Sequence, residues 1–337
     1  ALIDAEKIYY LAWSVIFAGL IQILIIFFSV DFKFWKIFFS IQDSNKTKIK
    51  DFFTLYWPTF LSSSLFQANL LIGLLICSFE TGAVSYLYYS ERIFYLPLTL
   101  IGVAIGIVLV PNLSENLRHN DKLSAIEQTK KASHYLLSSV LPLTALLIVL
   151  SPQIVSFLFE RGEFNSESAK NTSLVLTYFL IGLPAASFVK ILNPYFFAIE
   201  KPKISLLASF KSNLVNLLLI LILFKLMGFK GIPLALSIST WLFAFLLYKE
   251  HKERDFFLID QQVRQNIIKY SSLSLFLLAI GLFLTNLYSI LVLTNLVQII
   301  IISSLFALVY LFFVRFFDLE LSKQISSLIN NFFKKIT

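Results

Sequence analysis

Nine runs of mostly apolar residues, each about as long as a helix must be to cross a bilayer, dominate this chain. An α-helix rises about 1.5 Å per residue, so about 20 residues cover roughly 30 Å of hydrocarbon. The apolar residues come in blocks and do not alternate with polar ones, which points to spanning helices and not to barrel strands. The runs are Tyr9–Val30, Phe52–Phe79, Ala83–Val110, Tyr135–Phe159, Asn171–Ile199, Ile204–Phe224, Gly231–Tyr248, Ile267–Asn286 and Ile290–Phe316. Charged residues make up only 14% of the chain, against about 25% in a soluble domain. Mean hydropathy is +0.80, and water cannot be the solvent for most of such a surface. The expectation is an all-α, polytopic integral membrane protein of nine transmembrane helices, with no soluble domain large enough to hold an active site.

Short connections make neighbouring helices antiparallel, so alternate connections can be compared for charge. Twenty of the 28 Lys and Arg fall on one side, from Lys33 and Lys36 through Lys130, Lys201 and Arg254 to Lys335. Five fall on the other side: Lys7, Arg161, Lys170, Lys225 and Lys230. Cytoplasmic loops retain the positive excess, so the chain is expected to start outside and end in the cytoplasm, as an inner-membrane protein. The net charge of +8 thus reads as topology and not as a nucleic-acid footprint. The first residue is Ala1, no signal-peptide layout follows, and the expectation is the C-terminal part of a longer protein. Cys77 lies alone within an apolar run as a small packing residue, which excludes a disulfide framework. His119, His134 and His251 are scattered over polar connections without ligand spacing, so neither a metal nor another cofactor is expected.

Two polar stretches read as surface helices. Asn120–Tyr135 has a helix start at Asn120 and few apolar residues, as a solvated cytoplasmic helix would. The tail sets Leu321, Ile325, Leu328, Phe332 and Ile336 on one face, with Lys323, Lys334 and Lys335 elsewhere, as in a helix lying on an anionic leaflet.

The remaining cations, Arg92, Lys190 and Lys211, fall inside spans. A charge in the bilayer costs at least about 2.5 to 3.5 kcal/mol on insertion scales, so such residues usually face a wet cavity. Arg92 lies nine residues from the outer end of its run, roughly 13 Å. Lys190 lies nine residues from the inner end of its own, so the two cations occupy opposite halves of the membrane. Lys211, nearer the cytoplasmic end, reads equally well as a snorkelling lysine. Pro97, within two turns of Arg92, removes a backbone hydrogen bond and is a candidate hinge around a cavity. Glu91 adjoins Arg92, but successive helical residues point about 100° apart, so it does not neutralise Arg92 within the helix. A cavity lined by cations suits an anionic substrate such as a phosphate. Gln67, Asn69, Asn193, Asn213 and Asn216 either line the path or make interhelical hydrogen bonds. No phosphate-cradling loop, Ser-His-Asp grouping or HExxH motif suggests an enzyme. Glu160-Arg161-Gly162-Glu163-Phe164 reads as an outer turn.

The stretch QANLLIGLLICSFETGAVSYLYYSERIFYLPLTLIGVAIGIVLVPNLS, Gln67 to Ser114, resembles the most recognisable part of the MurJ (MviN) lipid II flippases of bacterial peptidoglycan synthesis. SFLFERGEFN from Ser156, VKILNPYFFAIEKPK from Val189 and GIPLALSIST from Gly231 match the same family in order. The resemblance implies the MATE-like fold of the multidrug/oligosaccharidyl-lipid/polysaccharide (MOP) exporters, with these nine helices standing for helices six to fourteen. It implies residues 1–51 as the last helix of the first lobe plus a cytoplasmic linker, and 52–250 as the second six-helix lobe. Residues 251–317 would be two helices forming a lipid-tail groove, and 318–337 an amphipathic cytoplasmic tail. By position, Arg92 would contact the lipid II diphosphate, with Lys190, Glu91, Gln67 and Asn69 as further substrate-binding candidates and Pro97 as hinge. This chain has Ser90-Glu91 where the family usually shows Ala-Asp, and Gly73 supplies no carboxylate for a coupling ion. The expected partners are lipid II and membrane lipids, moved between leaflets by alternating access. An exporter of another lipid-linked oligosaccharide, such as an O-antigen or capsule unit, and a membrane scaffold without transport are the alternatives.

Overall fold

The computed structural model describes residues 5–29, 53–54, 56–57, 60–61, 64, 67, 71–290, 294–318 and 321–323. Two compact units make up the chain, Ala1–Tyr56 and Trp57–Thr337. The first contains α1 (Ala5–Ser29), a 25-residue apolar helix. Among the described residues, six helices are long and apolar enough to cross a membrane, and Trp13–Ser29 is a shorter apolar one.

The second unit begins its continuously described part with α2 (71–77). It continues through α3 (Ala83–Pro97), a π-helical segment (Leu98–Val103), α4 (Ala104–Arg118) and α5 (Lys122–Phe159). Then come α6 (Ser166–Ile181), α7 (Leu183–Ala198), α8 (Pro202–Met227) and α9 (Gly231–Glu253). The last two are α10 (Gln261–Ile290) and α11 (Asn295–Phe317). No strand occurs among the described residues beyond an isolated Arg161–Phe164 bridge, which closes the expected outer turn around Gly162 at φ +59°.

Several expected boundaries move, each for a local reason. The polar stretch from Asn120 and the apolar run after it form one 38-residue helix, α5. Its cap is Asp121, not Asn120: the Asp121 side chain accepts the Ser124 N–H at 3.0 Å, while Asn120 takes a left-handed φ of +59°. The run Asn171–Ile199 is broken at Gly182, with Pro184 at the start of α7. The run Ala83–Val110 extends to Arg118 and changes helical type immediately after Pro97. The last run begins at Asn295 and not at Ile290. Most of the expected tail lies outside the described residues, which there include only 318 and 321–323.

The packing is that of a protein dissolved in lipid. On α8, Leu207, Phe210, Leu214, Leu218 and Leu221 are each more than half exposed, while Ser205, Ser209, Ser212 and Asn216 are buried. That inverts a soluble helix, and it follows from lipid being as apolar as leucine: association depends on small residues and interhelical hydrogen bonds. Accordingly the Ser212 hydroxyl donates to Ser239 O on α9 at 2.5 Å, and the Ser90 hydroxyl to Thr172 O on α6 at 2.7 Å. The pairs Ser212–Ser239 and Leu223–Gly231 show α8 and α9 running antiparallel about the turn at Gly228–Lys230.

A large apolar cluster joins α3 through α9, and a separate one joins α5 to α10 and α11 through Leu137, Val149, Leu150, Tyr270, Leu277, Ile302 and Phe306. Asp318 fastens this second group. Its carboxylate accepts from the Tyr270 hydroxyl and lies 3.0 Å from His134 Nε2 and 3.3 Å from Lys269 Nζ.

Candidate functional site

Helix α3 buries Ala83, Leu87, Ser90, Phe94 and Pro97, a stripe spaced three or four residues apart. With that stripe fixed against α6, Glu91 and Tyr95 fall on one flank and Arg92 on another. Pro97 has no N–H to return to the preceding turn, and the six residues after it are π-helical. There the chain presents Gly102 and Gly106. A Cβ at Gly106 would stand 3.3 Å from Lys190 O, and one at Gly102 3.4 Å from Lys190 Cγ. The two glycines therefore let α7 approach closely and lay the Lys190 side chain beside the π segment.

Between these helices lies a cavity of about 750 Å³. Glu91 and Tyr95 of α3, Lys190 and Asn193 of α7, Asn213 of α8 and Gln67 supply its larger polar side chains, within walls such as Phe94, Phe179 and Phe243. Lys190 is half-buried, and among the described residues no ion pair or hydrogen bond holds it. The Glu91 carboxyl interacts with Tyr95, one turn on. Asn193 Oδ1 accepts from the Ser205 hydroxyl at 2.8 Å, and Asn213 Nδ2 donates to Ser209 Oγ at 3.0 Å.

A second chamber of about 20 Å³ lies beyond Glu91, walled by Leu74, Leu87, Phe179, Ile220 and Ile232. Asn216 faces it at 1% exposure, with neither its Oδ1 nor its Nδ2 partnered.

The structure therefore gathers Gln67, Glu91, Lys190, Asn193 and Asn213 around one hollow and sets Arg92 apart. Arg92 is exposed; its Nη2 donates to the Tyr88 hydroxyl at 2.7 Å, and its guanidinium lies 4.7 Å from the Tyr88 ring centre. The helical turn between adjacent residues places Glu91, and not Arg92, in the cavity. Hence the expectation of a hollow lined by cations is corrected: among the described residues its lining carries one cation and one carboxylate. Lys211 lies exposed on the outer face of α8, and Asn69 lies outside the described residues. Unforeseen in sequence were the small chamber and the part played by the Gly102–Gly106 spacing, whose signal is two glycines one turn apart. His251, expected in a polar connection, is fully buried and donates from Nε2 to Leu192 O, 2.9 Å away.

Comparison with known proteins is consistent across sequence and structure. The family model described as lipid II flippase MurJ matches residues 2–323. Proteins described as "Probable lipid II flippase MurJ" are similar to the chain. That of Rhizobium meliloti (strain 1021) is 35% identical over 258 residues, 75% of this chain and 48% of the relative. That of Rhizobium tropici is 33% identical over 241 residues, 71% of this chain and 45% of the relative. The chain thus spans about half the length of the curated relatives it matches. A solved structure of a lipid II flippase MurJ in an inward closed conformation aligns with TM-score 0.65 and 28% identity, covering 80% of this chain and 55% of that one. A MATE-family multidrug transporter of the MOP superfamily, in its outward-facing conformation, shares the fold at TM-score 0.54 and 14% identity, over 69% of this chain and 54% of that one.

Proposed function

The chain belongs to the MurJ lipid II flippase family, and from that premise we propose that it serves to move lipid II from the cytoplasmic to the periplasmic leaflet of a bacterial inner membrane. The observation that carries the reading is the half-buried, unpaired Lys190 in a cavity of about 750 Å³ between lipid-embedded helices. An ammonium at membrane depth that no ion pair or hydrogen bond holds is retained where an anion comes to meet it. Lys190 supplies a point charge to the diphosphate, while Gln67, Asn193 and Asn213 offer amides to the sugar or peptide. Arg92, propped on Tyr88 on the open face of α3, is a second phosphate contact outside this hollow. The break at Pro97 is the hinge about which α3 and α4 reorient as access alternates. Residues 52–250 act as one lobe, 251–317 as the groove for the polyprenyl tail, and 318–337 as a cytoplasmic surface helix. Asn69 belongs to the same contact set on the sequence resemblance alone.

The test uses a strain depleted of its own flippase and full-length proteins carrying Lys190→Gln or Arg92→Ala. Each variant should insert normally, fail to restore growth, and bind lipid II at least tenfold more weakly in nanodiscs. Tenfold corresponds to about 1.4 kcal/mol, just under the ~1.5 to 3 kcal/mol of one charged hydrogen bond. Full rescue and unchanged binding by Lys190→Gln would sink the proposal.

A further inference from the structure

We propose that Glu91 and Asn216 form a proton-exchange site, in which one water in the small chamber links the Asn216 amide to the Glu91 carboxyl and protons reach Glu91 through the large cavity. The inference rests on the transport reading only for its use, since it names the ion on which that transport depends.

Three observations carry it. Asn216 is buried to 1% exposure with both amide atoms unpartnered, and a buried polar group in a native protein normally has a partner, often an ordered water. The chamber it faces holds about 20 Å³, just enough for one water, which needs roughly 10 to 15 Å³ and two to four polar contacts. Finally, Glu91 borders both hollows. Asn216 offers the water a donor and an acceptor, and Glu91 offers a second acceptor, so the contacts suffice. A hard divalent cation is a poor fit, because it asks for about six or more oxygen ligands. Among the described residues of the lining, Asn216 and Glu91 supply the only side-chain oxygens.

The charged and titratable surroundings are few. From its own helix Glu91 meets the charge of Arg92, whose guanidinium is turned to the open face beside Tyr88, and then Tyr95. From α7 comes Lys190. The facing residues of α6, α8 and α9, among them Phe179, Asn216, Ile232 and Leu236, carry no titratable group. Protonation therefore changes the character of the large cavity. When a hydronium ion gives its proton to the carboxylate, water leaves and a neutral carboxyl remains, so the lining passes from balanced to net positive. An anionic head group then binds better, and by linkage its binding favours the protonated acid.

The experiment follows the carbonyl stretch of a protonated carboxylic acid by infrared difference spectroscopy while pH is varied, on the full-length protein in nanodiscs without substrate. The native protein should show a titrating band that Glu91→Gln abolishes and Glu91→Asp restores at an altered frequency. Asn216→Leu, which evicts the water, should keep the band and move its midpoint by about one pH unit, a tenfold change in proton affinity. A native protein lacking a titrating band that Glu91→Gln removes would overturn the site. A midpoint unmoved by Asn216→Leu would overturn the water link. Because no lipid II is present, either failure leaves the flippase reading standing, and a failure of lipid II binding leaves this titration unaffected.

Discussion

Replacing Gly182 with alanine adds one methyl group where α6 and α7 meet α9. Its Cβ would stand 2.7 Å from Ser237 Oγ, 2.9 Å from Ser237 Cα and 3.1 Å from Ser237 Cβ. The native φ of −84° and ψ of −12° suit alanine, so the backbone conformation contributes no strain and the effect is steric. A hydroxyl could swing away, but a main-chain carbon cannot, and α9 must retreat by a few tenths of an ångström or more. Overpacking of this kind costs about 1 to 3 kcal/mol. Movement of Ser237 also weakens its hydroxyl's hydrogen bond to Tyr178 O, now 2.6 Å, and interhelical bonds in membranes average about 0.6 kcal/mol. The expected loss is about 2 to 3 kcal/mol, a ~30- to 150-fold change in the folding equilibrium. Equilibrium unfolding of the full-length protein in mixed micelles measures it. Ser237→Ala in the same background removes the nearest atom and leaves the clash with the main chain of α9, so it should recover part of the loss and not all of it. A loss below about 0.5 kcal/mol, or complete recovery in the double variant, would refute the idea that the main chain of α9 limits this crossing.

Pro97→Ala should restore an N–H to the preceding turn and draw Leu98–Val103 toward α-helix, read as slower amide hydrogen exchange over residues 97–103; unchanged exchange would separate the π segment from the proline. Burial alone would raise the Asp318 carboxyl, but the Tyr270 hydroxyl, the Leu321 N–H, His134 and Lys269 outweigh it and hold the group below the usual carboxylate value. Its contribution to stability is then present above about pH 4 and lost as pH falls through the lowered value. Asp318→Asn should lower the melting temperature at neutral pH and flatten this acid-side slope, and a melting curve with the native slope would contradict the clasp.

Much of the architecture was legible before any coordinates. Blocks about 20 residues long allow little but spanning helices, and GIPLALSIST already placed Gly231 and Pro233 at the start of α9. What escaped was local. That the polar stretch after Asn120 and the following span are one helix could not be read from hydropathy, which changes midway along α5 while the backbone does not. In the site, Lys190 was singled out by its charge within a span and by the family resemblance, and its position came with the two glycines that admit α7.

The amino-acid sequence determined the solvent, the helices and which residues are charged within them, because the transfer of each side chain into hydrocarbon is a property of that side chain. Tertiary structure decided where those charges point. Glu91 and Arg92 are neighbours in sequence, yet one borders the cavity and the other the open face. The rotation of α3 that separates them is set by Ser90 bonding Thr172 and by Leu87 and Phe94 in the core. Those interactions reach across the fold, so no local pattern encodes them.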